Sequence, residues 1–310
     1  MVIAGVAETA AARADALRPS PVDMLARARL LRDWIAAHAP AEGLAWFDAI
    51  LADVAKGEER HVLTRAMALA PRRLGKADLR LEAEHLRRAA EVRPGFDPTG
   101  LTVDAAARIA LLLAATREAG SLANCLDSIL RTADLRELVA VYRGFALFPA
   151  DESLTRRAAE GVRSGMKPVF EAIAHRNPYP RENFDDQAWN QMVVKALFIG
   201  SELHPIQGLD ERASSDLSVM LVDYAHERWA ADRPVSIELW RALGRFADQR
   251  GLDALARVLR SGEAKERGAA ALALHAAGTA AAREILEREP DLQRQVADGR
   301  ITWTTLAPSA

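Results

Sequence analysis

Wherever periodicity can be judged in this chain, apolar residues recur at helical spacing, and no strand-like alternation persists. Leu44, Phe47, Leu51 and Val54 draw one apolar stripe, and Leu135, Leu138, Val139 and Tyr142 draw another. A stripe of this kind must be hidden against a neighbouring helix. Breaks at Pro40, Gly57, Pro71 to Gly75, Pro94-Gly95, Gly120-Ser121, Pro149 and Pro178 to Pro180 cut the pattern into segments of roughly 10 to 20 residues, ordinary helix lengths. The expected fold class is all-α, built as stacked helical hairpins in an α-α superhelix.

Composition supports this. Half of the 310 residues are apolar, yet aromatics are only 5%, so Leu, Ala and Val supply the core and favour closely approaching helices. Lys and Arg total 41 against 43 acids, a balance that argues against a nucleic-acid-binding domain. The Arg-rich stretch Arg65, Arg72, Arg73, Lys76, Arg80, Arg87, Arg88 is interleaved with acids and reads as solvated helix faces. One cysteine, Cys125, excludes an intrachain disulfide; its apolar neighbours suggest a buried thiol. The start of the chain lacks the pattern of a signal peptide, and no uninterrupted apolar run reaches bilayer-spanning length. The expected location is therefore cytoplasmic.

Residues 1–20 are expected to form a mobile segment, 21–165 an N-terminal helical region, 166–245 a central motif-rich region and 246–310 a C-terminal HEAT-like region. These are read as one continuous solenoid-like domain. The last region is the plainest: Leu252 to Leu259, a turn at Ser261-Gly262-Glu263, an Ala-rich helix from Ala264 to Ala277, Gly278, then Thr279 to Glu287.

Unusual side chains concentrate between residues 175 and 241, which hold three of seven histidines, three of six tryptophans and two of three tyrosines. Asn177-Pro178-Tyr179-Pro180 is expected to be non-helical, since proline removes a donor and restricts its predecessor. Trp189 to Phe198 reads as a helix on which Gln191 and Lys195 share a face, and Asn190 joins them as a polar residue. His204 to Asp210 is a second rigid turn, after which Ser214 or Ser215 caps a helix through Trp229.

Two functional readings follow for this region. Asp223, His226 and Glu227 lie at i, i+3 and i+4, where a carboxylate can tune an imidazole as an acid/base pair, or can join His204 and Asp210 around a metal. The same residues equally suit surface pairing with Arg228. Separately, Tyr179, Trp189, Asn190, Gln191, Lys195, His204, Asp210, Arg228 and Trp229 are candidates for binding a ligand or partner, with rings as apolar walls and Lys195 as an anion contact. Asn190 and Gln191 would alternatively lock the proline loops through their carbonyls. No nucleophile elbow, Walker loop or dinucleotide-binding turn occurs, and no cofactor is expected.

The strings His175-Arg-Asn-Pro-Tyr-Pro180, Trp189-Asn-Gln-Met-Val-Val-Lys-Ala-Leu-Phe198, His204-Pro-Ile-Gln-Gly-Leu-Asp210 and Asp223-Tyr-Ala-His-Glu-Arg-Trp-Ala230 together resemble the EboA family. Arg93-Pro94-Gly95, Leu101-Thr102-Val103-Asp104 and Gly161 to Lys167 are similar to the same pattern. The resemblance implies a role in trafficking a secondary metabolite or its precursor across the inner membrane, with a peripheral position at that membrane as the alternative location, alongside other proteins of the Ebo gene cluster, a prenyltransferase-like membrane protein among them. It supplies no catalytic residues. The expected function is a non-catalytic helical scaffold or binding protein. The alternative is an enzyme, a lyase or hydrolase acting on the same metabolite through Asp223 and His226.

Overall fold

The computed structural model describes residues 21–56, 60–116 and 119–306, so the expected N-terminal segment 1–20 and the break at Gly57 lie outside the described residues. Within them the chain forms eighteen α-helices and no strand, an all-α fold. It divides into two compact units, one ending at Asp185 and the other beginning at Asp186.

The first unit holds α1 (Pro21–Ala36), α2 (Ala41–Lys56), α3 (Arg60–Arg73), α4 (Ala83–Val92), α5 (Val103–Ala115), α6 (Ala119–Leu130), α7 (Leu135–Gly144), α8 (Glu152–Arg163), α9 (Lys167–Ala174) and α10 (Tyr179–Asn183). Its hub is α5, on which α1, α2, α3 and α7 all pack. Every residue from Val103 to Leu113 is buried. Four of those positions are alanine, and small side chains let several helices reach one axis.

Two of the hub's buried residues are charged. Arg108 and Asp104, four residues apart, are 2.6 Å from each other, and Thr102 donates to the second Asp104 oxygen at 2.7 Å. Arg108 Nε also donates to the Met67 carbonyl at 3.2 Å. Helix α3 ends at Arg73, inside the break expected over Pro71 to Gly75, and this contact explains why it passes Pro71 itself. A proline cannot donate to the carbonyl four residues before it. That carbonyl belongs to Met67, so Arg108 satisfies the acceptor that Pro71 leaves open.

A similar device holds the turn after α7. Arg27 donates to Leu147 O at 2.7 Å, Arg93 donates to Ala146 O at 3.1 Å, and Arg93 also pairs with Glu182. Burial beside Arg93 pulls the Arg27 pKa down to about 10. Two expected breaks are corrected. Gly120-Ser121 lies in the first turn of α6, and Tyr179-Pro180 opens α10, because the first helical turn needs no donor from proline. The Arg-rich stretch is exposed at all seven positions, whereas Cys125 is half-buried, its helix turning it partly outward.

The second unit comprises α11 (Asp186–Phe198), α12 (Ser215–Ala230), α13 (Glu238–Gly244), α14 (Gln249–Ser261), α15 (Ala264–Ala277), α16 (Ala280–Glu287), α17 (Pro290–Ala297) and α18 (Trp303–Leu306). Its hub is the alanine-rich α15, packed by α13, α14, α16, α17 and α18. At Gly244 the approach is backbone to backbone: a Cβ there would lie 2.7 Å from Ala273 Cα. The punctuation matches the sequence closely. Gly278 ends α15 with φ at 62°, and the Thr279 hydroxyl accepts from Ala282 N at 3.1 Å to begin α16.

Candidate functional site

In the first unit, α6, α7, α8 and the start of α9 enclose an open cavity of about 860 Å³. Helix α6 brings Asn124, Asp127 and Ser128 to it on one face, since residues three and four apart lie together. Leu138 and Tyr142 reach it from α7 by the same spacing, and Arg157 and Glu160 from α8. Leu130, Met166 and Val169 supply apolar wall.

Its charges are balanced. Arg157 contacts both Glu160 oxygens, at 2.9 and 2.8 Å, and bridges to Asp127, so these bonds hold the guanidinium firmly charged. The side chains of Asn124, Ser128 and Arg131 and the Tyr142 hydroxyl, by contrast, hydrogen-bond no described residue. Tyr142 is 6% exposed, and burial, reinforced by Glu160, raises its pKa against the opposing pull of Arg157. It therefore remains a neutral donor. A Cβ at Gly161 would lie 2.3 Å from Tyr142 Cε1, so the ring rests directly on the α8 backbone while it stacks on Phe145 at 5.7 Å. The cavity thus offers neutral donors and acceptors, paired charges and an apolar wall, with a volume suited to a small molecule. The sequence signals that lead here are the Arg157/Glu160 spacing and Gly161.

Tyr179 is also in this unit, as part of a lock. The Asn177 amide donates to the carbonyls of Tyr142 and Ala172, both at 3.3 Å, while its oxygen accepts from Tyr179 N at 3.1 Å. The residue that secures the proline loop is therefore Asn177. Tyr179 is 1% exposed, shares a hydrogen bond with the Thr155 hydroxyl at 3.2 Å, and has its pKa pushed up to about 12 by burial.

The remaining candidates belong to the second unit. Trp189 is 1% exposed, with Arg212 stacked 4.8 Å from its ring centre and Arg212 paired to Asp186 at 2.7 Å. Asn190 is buried, its Oδ1 bonded to no described atom, whereas Gln191 is exposed and Lys195 half-buried on another face with Phe198. His204 and Asp210 are both tied to α13. Glu238 accepts from the backbone of Leu203 at 2.7 Å and of His204 at 2.8 Å and lies 3.0 Å from the His204 ring; Asp210 binds Arg241 through both oxygens, at 2.8 and 2.5 Å.

On α12, Asp223 directs its carboxylate to Arg250 at 2.6 Å, Glu227 is exposed, and the His226 ring meets the edge of Trp229 at 5.4 Å. Trp229 stacks on Trp240 at 5.9 Å beneath Arg257 at 4.2 Å, and Arg228 donates to Pro234 O at 3.0 Å. Among the described residues, no three His, Cys, Asp or Glu side chains gather as a metal would require. His204, Asp210, Asp223 and His226 lie apart in this respect, each engaged by a different neighbour. The structure thus brings together Trp229, His226 and Trp240, and separately anchors the 199–212 loop.

No curated protein and no solved structure matches the chain. The model of a family described as metabolite traffic protein EboA matches residues 27–244, reaching from α1 through the last residue of α13. That span is well over half of the 310 residues and includes the whole lining of the α6–α9 cavity. The chain belongs to the EboA family.

Proposed function

We propose that this protein is a non-catalytic helical binding protein of metabolite traffic, and that the α6–α9 cavity holds the small molecule it handles. One observation carries the reading: Asn124, Ser128, Arg131 and the Tyr142 hydroxyl face a cavity of about 860 Å³ without a described hydrogen-bond partner. Asn124 and Arg131 are exposed and meet water in the free protein, so a ligand seated against this concave wall exchanges those water bonds for its own while its apolar part covers Leu130, Met166 and Val169. With Arg131 and Arg157 offset by Asp127 and Glu160, the best-fitting ligand is uncharged or zwitterionic, carrying hydroxyl or carbonyl groups and an apolar portion. Tyr142 acts as a fixed donor. The protein works beside other members of its gene cluster, a membrane prenyltransferase-like protein among them, and contacts them through the outward face of α11, where Gln191 and Lys195 accompany Phe198, which is 77% exposed.

The test uses the full chain purified from its native host, extracted with solvent and analysed by mass spectrometry. Wild type should carry a small molecule that a Ser128→Trp variant, with its cavity filled, lacks, while the two should melt at the same temperature once both are stripped of ligand. Identical extracts from the two proteins would refute the binding reading.

A further inference from the structure

Helices α1 and α2 are consecutive in sequence yet hardly meet; each packs on α5 instead. Between them runs a separate groove of about 560 Å³, floored by Leu113 and Ala114 at the end of α5. Its walls are apolar: Met24, Leu25 and Ala28 from α1, and Leu51, Ala52 and Ala55 from α2. Alanines at three of those six positions keep the space open, since longer side chains there would close it.

The two helices are joined at one end only. Arg32 on α1 grips Asp48 on α2 through both carboxylate oxygens, at 2.9 and 2.6 Å. From that strap the groove extends along α1 to Met24, a run of about two turns, or about 12 Å. Arg29 lies one turn inside the strap, on the groove's rim, exposed and with no partner among the described residues. The strap neutralises its own two charges, so Arg29 contributes a net positive charge beside an apolar channel. Leu25, one turn further along the same α1 rim, remains 50% exposed.

We propose that this groove binds a single-chain anionic amphiphile, its alkyl chain laid between α1 and α2 and its carboxylate or phosphate on Arg29. The apolar lining selects an alkyl portion, and a volume of about 560 Å³ suits a small amphiphile. Charge selects the head. Burial of each methylene in water-free contact tightens binding about two- to fourfold, which gives the site a chain-length signature. This site is distinct from the α6–α9 cavity, and neither reading depends on the other.

The experiment is displacement of 11-(dansylamino)undecanoic acid from the full chain by octanoate, decanoate and dodecanoate at monomeric concentrations, with decanol, inorganic phosphate and anionic phosphatidylglycerol vesicles as further competitors. The probe should bind saturably, and the acids should displace it in order of length, about two- to fourfold tighter per methylene while the chain remains inside the groove. Arg29→Gln should weaken decanoate at least fivefold and leave decanol unchanged. Ala52→Trp and Ala55→Trp, both at exposed positions, should weaken the probe at least tenfold without lowering the melting temperature. Lack of saturable binding, indifference to chain length, or full binding by both tryptophan variants would overturn the proposal. So would binding to vesicles without binding to monomeric decanoate, which would mark a lipid surface as the partner instead.

Discussion

Substituting Gly161 by alanine tests the wall of the α6–α9 cavity, because one methyl group there sets two effects against each other. In a helix, alanine is favoured over glycine by about 0.5 to 1 kcal/mol. Against that, the new Cβ would stand 2.3, 2.6 and 2.9 Å from three atoms of the Tyr142 ring, far inside contact distance. The ring must retreat by about 1 Å or more to restore carbon contacts of about 3.5 to 4.0 Å. It is stacked on Phe145, itself 0% exposed, so retreat deforms the packed aromatic cluster or turns the ring into the cavity. Overpacking of this kind costs about 1 to 3 kcal/mol. The net expectation is a loss of about 1 to 2 kcal/mol, seen as a fall of several degrees in a calorimetric or circular-dichroism melt. Tyr142→Leu in the same chain should relieve most of the clash, so the double variant should be more stable than the sum of the single losses predicts. A Gly161→Ala protein that melts at or above the parent temperature would show that helix propensity outweighs the contact and that the Tyr142 ring is not seated as described.

The aromatic sites should respond unequally. Trp189→Ala, at 1% exposure, should cost about 3 to 5 kcal/mol in urea unfolding, and Trp229→Ala, half-buried beneath Arg257, no more than about 2 kcal/mol; equal losses would contradict the difference in burial. Arg108→Met should cost about 3 to 5 kcal/mol by the same assay, since it strands the buried Asp104 charge and the Met67 carbonyl together, and a neutral outcome would refute the ion pair's role. Alkaline stability should depend on Tyr179. Its folded pKa of about 12 lies above the unfolded value of about 10, so its contribution is whole below pH 10 and lost as pH rises towards 12. Tyr179→Phe should therefore escape about 2 to 3 kcal/mol of the decline that the parent shows over that window; parallel stability curves for the two proteins would refute the assignment.

Local punctuation was the part most legible from sequence. Gly278 and Thr279 marked their turn because a left-handed residue and a hydroxyl cap act on their own few neighbours. The break at Pro71 to Gly75 was legible too, but not that the helix passes the proline by two residues, which rests on Arg108, 37 positions along the chain, satisfying the carbonyl the proline cannot. The candidate site shows the same division. The family strings stood out through rare residues, yet His204 and Asp210 serve to tie a loop to α13, and Asn177, unremarked for this role, is what binds the proline loop. The α6–α9 cavity left only a faint trace, since Asn124, Ser128 and Arg131 are common residue types and the cavity beside them arises only once three helices stand apart.

Packing on α5 also sets an order of events during synthesis. The partner of α1 lies about 70 residues downstream of Ala36, so at about 5 to 20 residues per second a nascent chain carries α1 for about 4 to 14 s before the surface it needs has been made. Leu30, Leu31, Trp34 and Ile35, all later hidden, have no permanent shelter in that interval. Arg27 waits longer still, for a carbonyl at position 147. The first unit cannot close as it emerges, helix by helix, from its N-terminus; it must hold an apolar strip in reserve until the hub arrives.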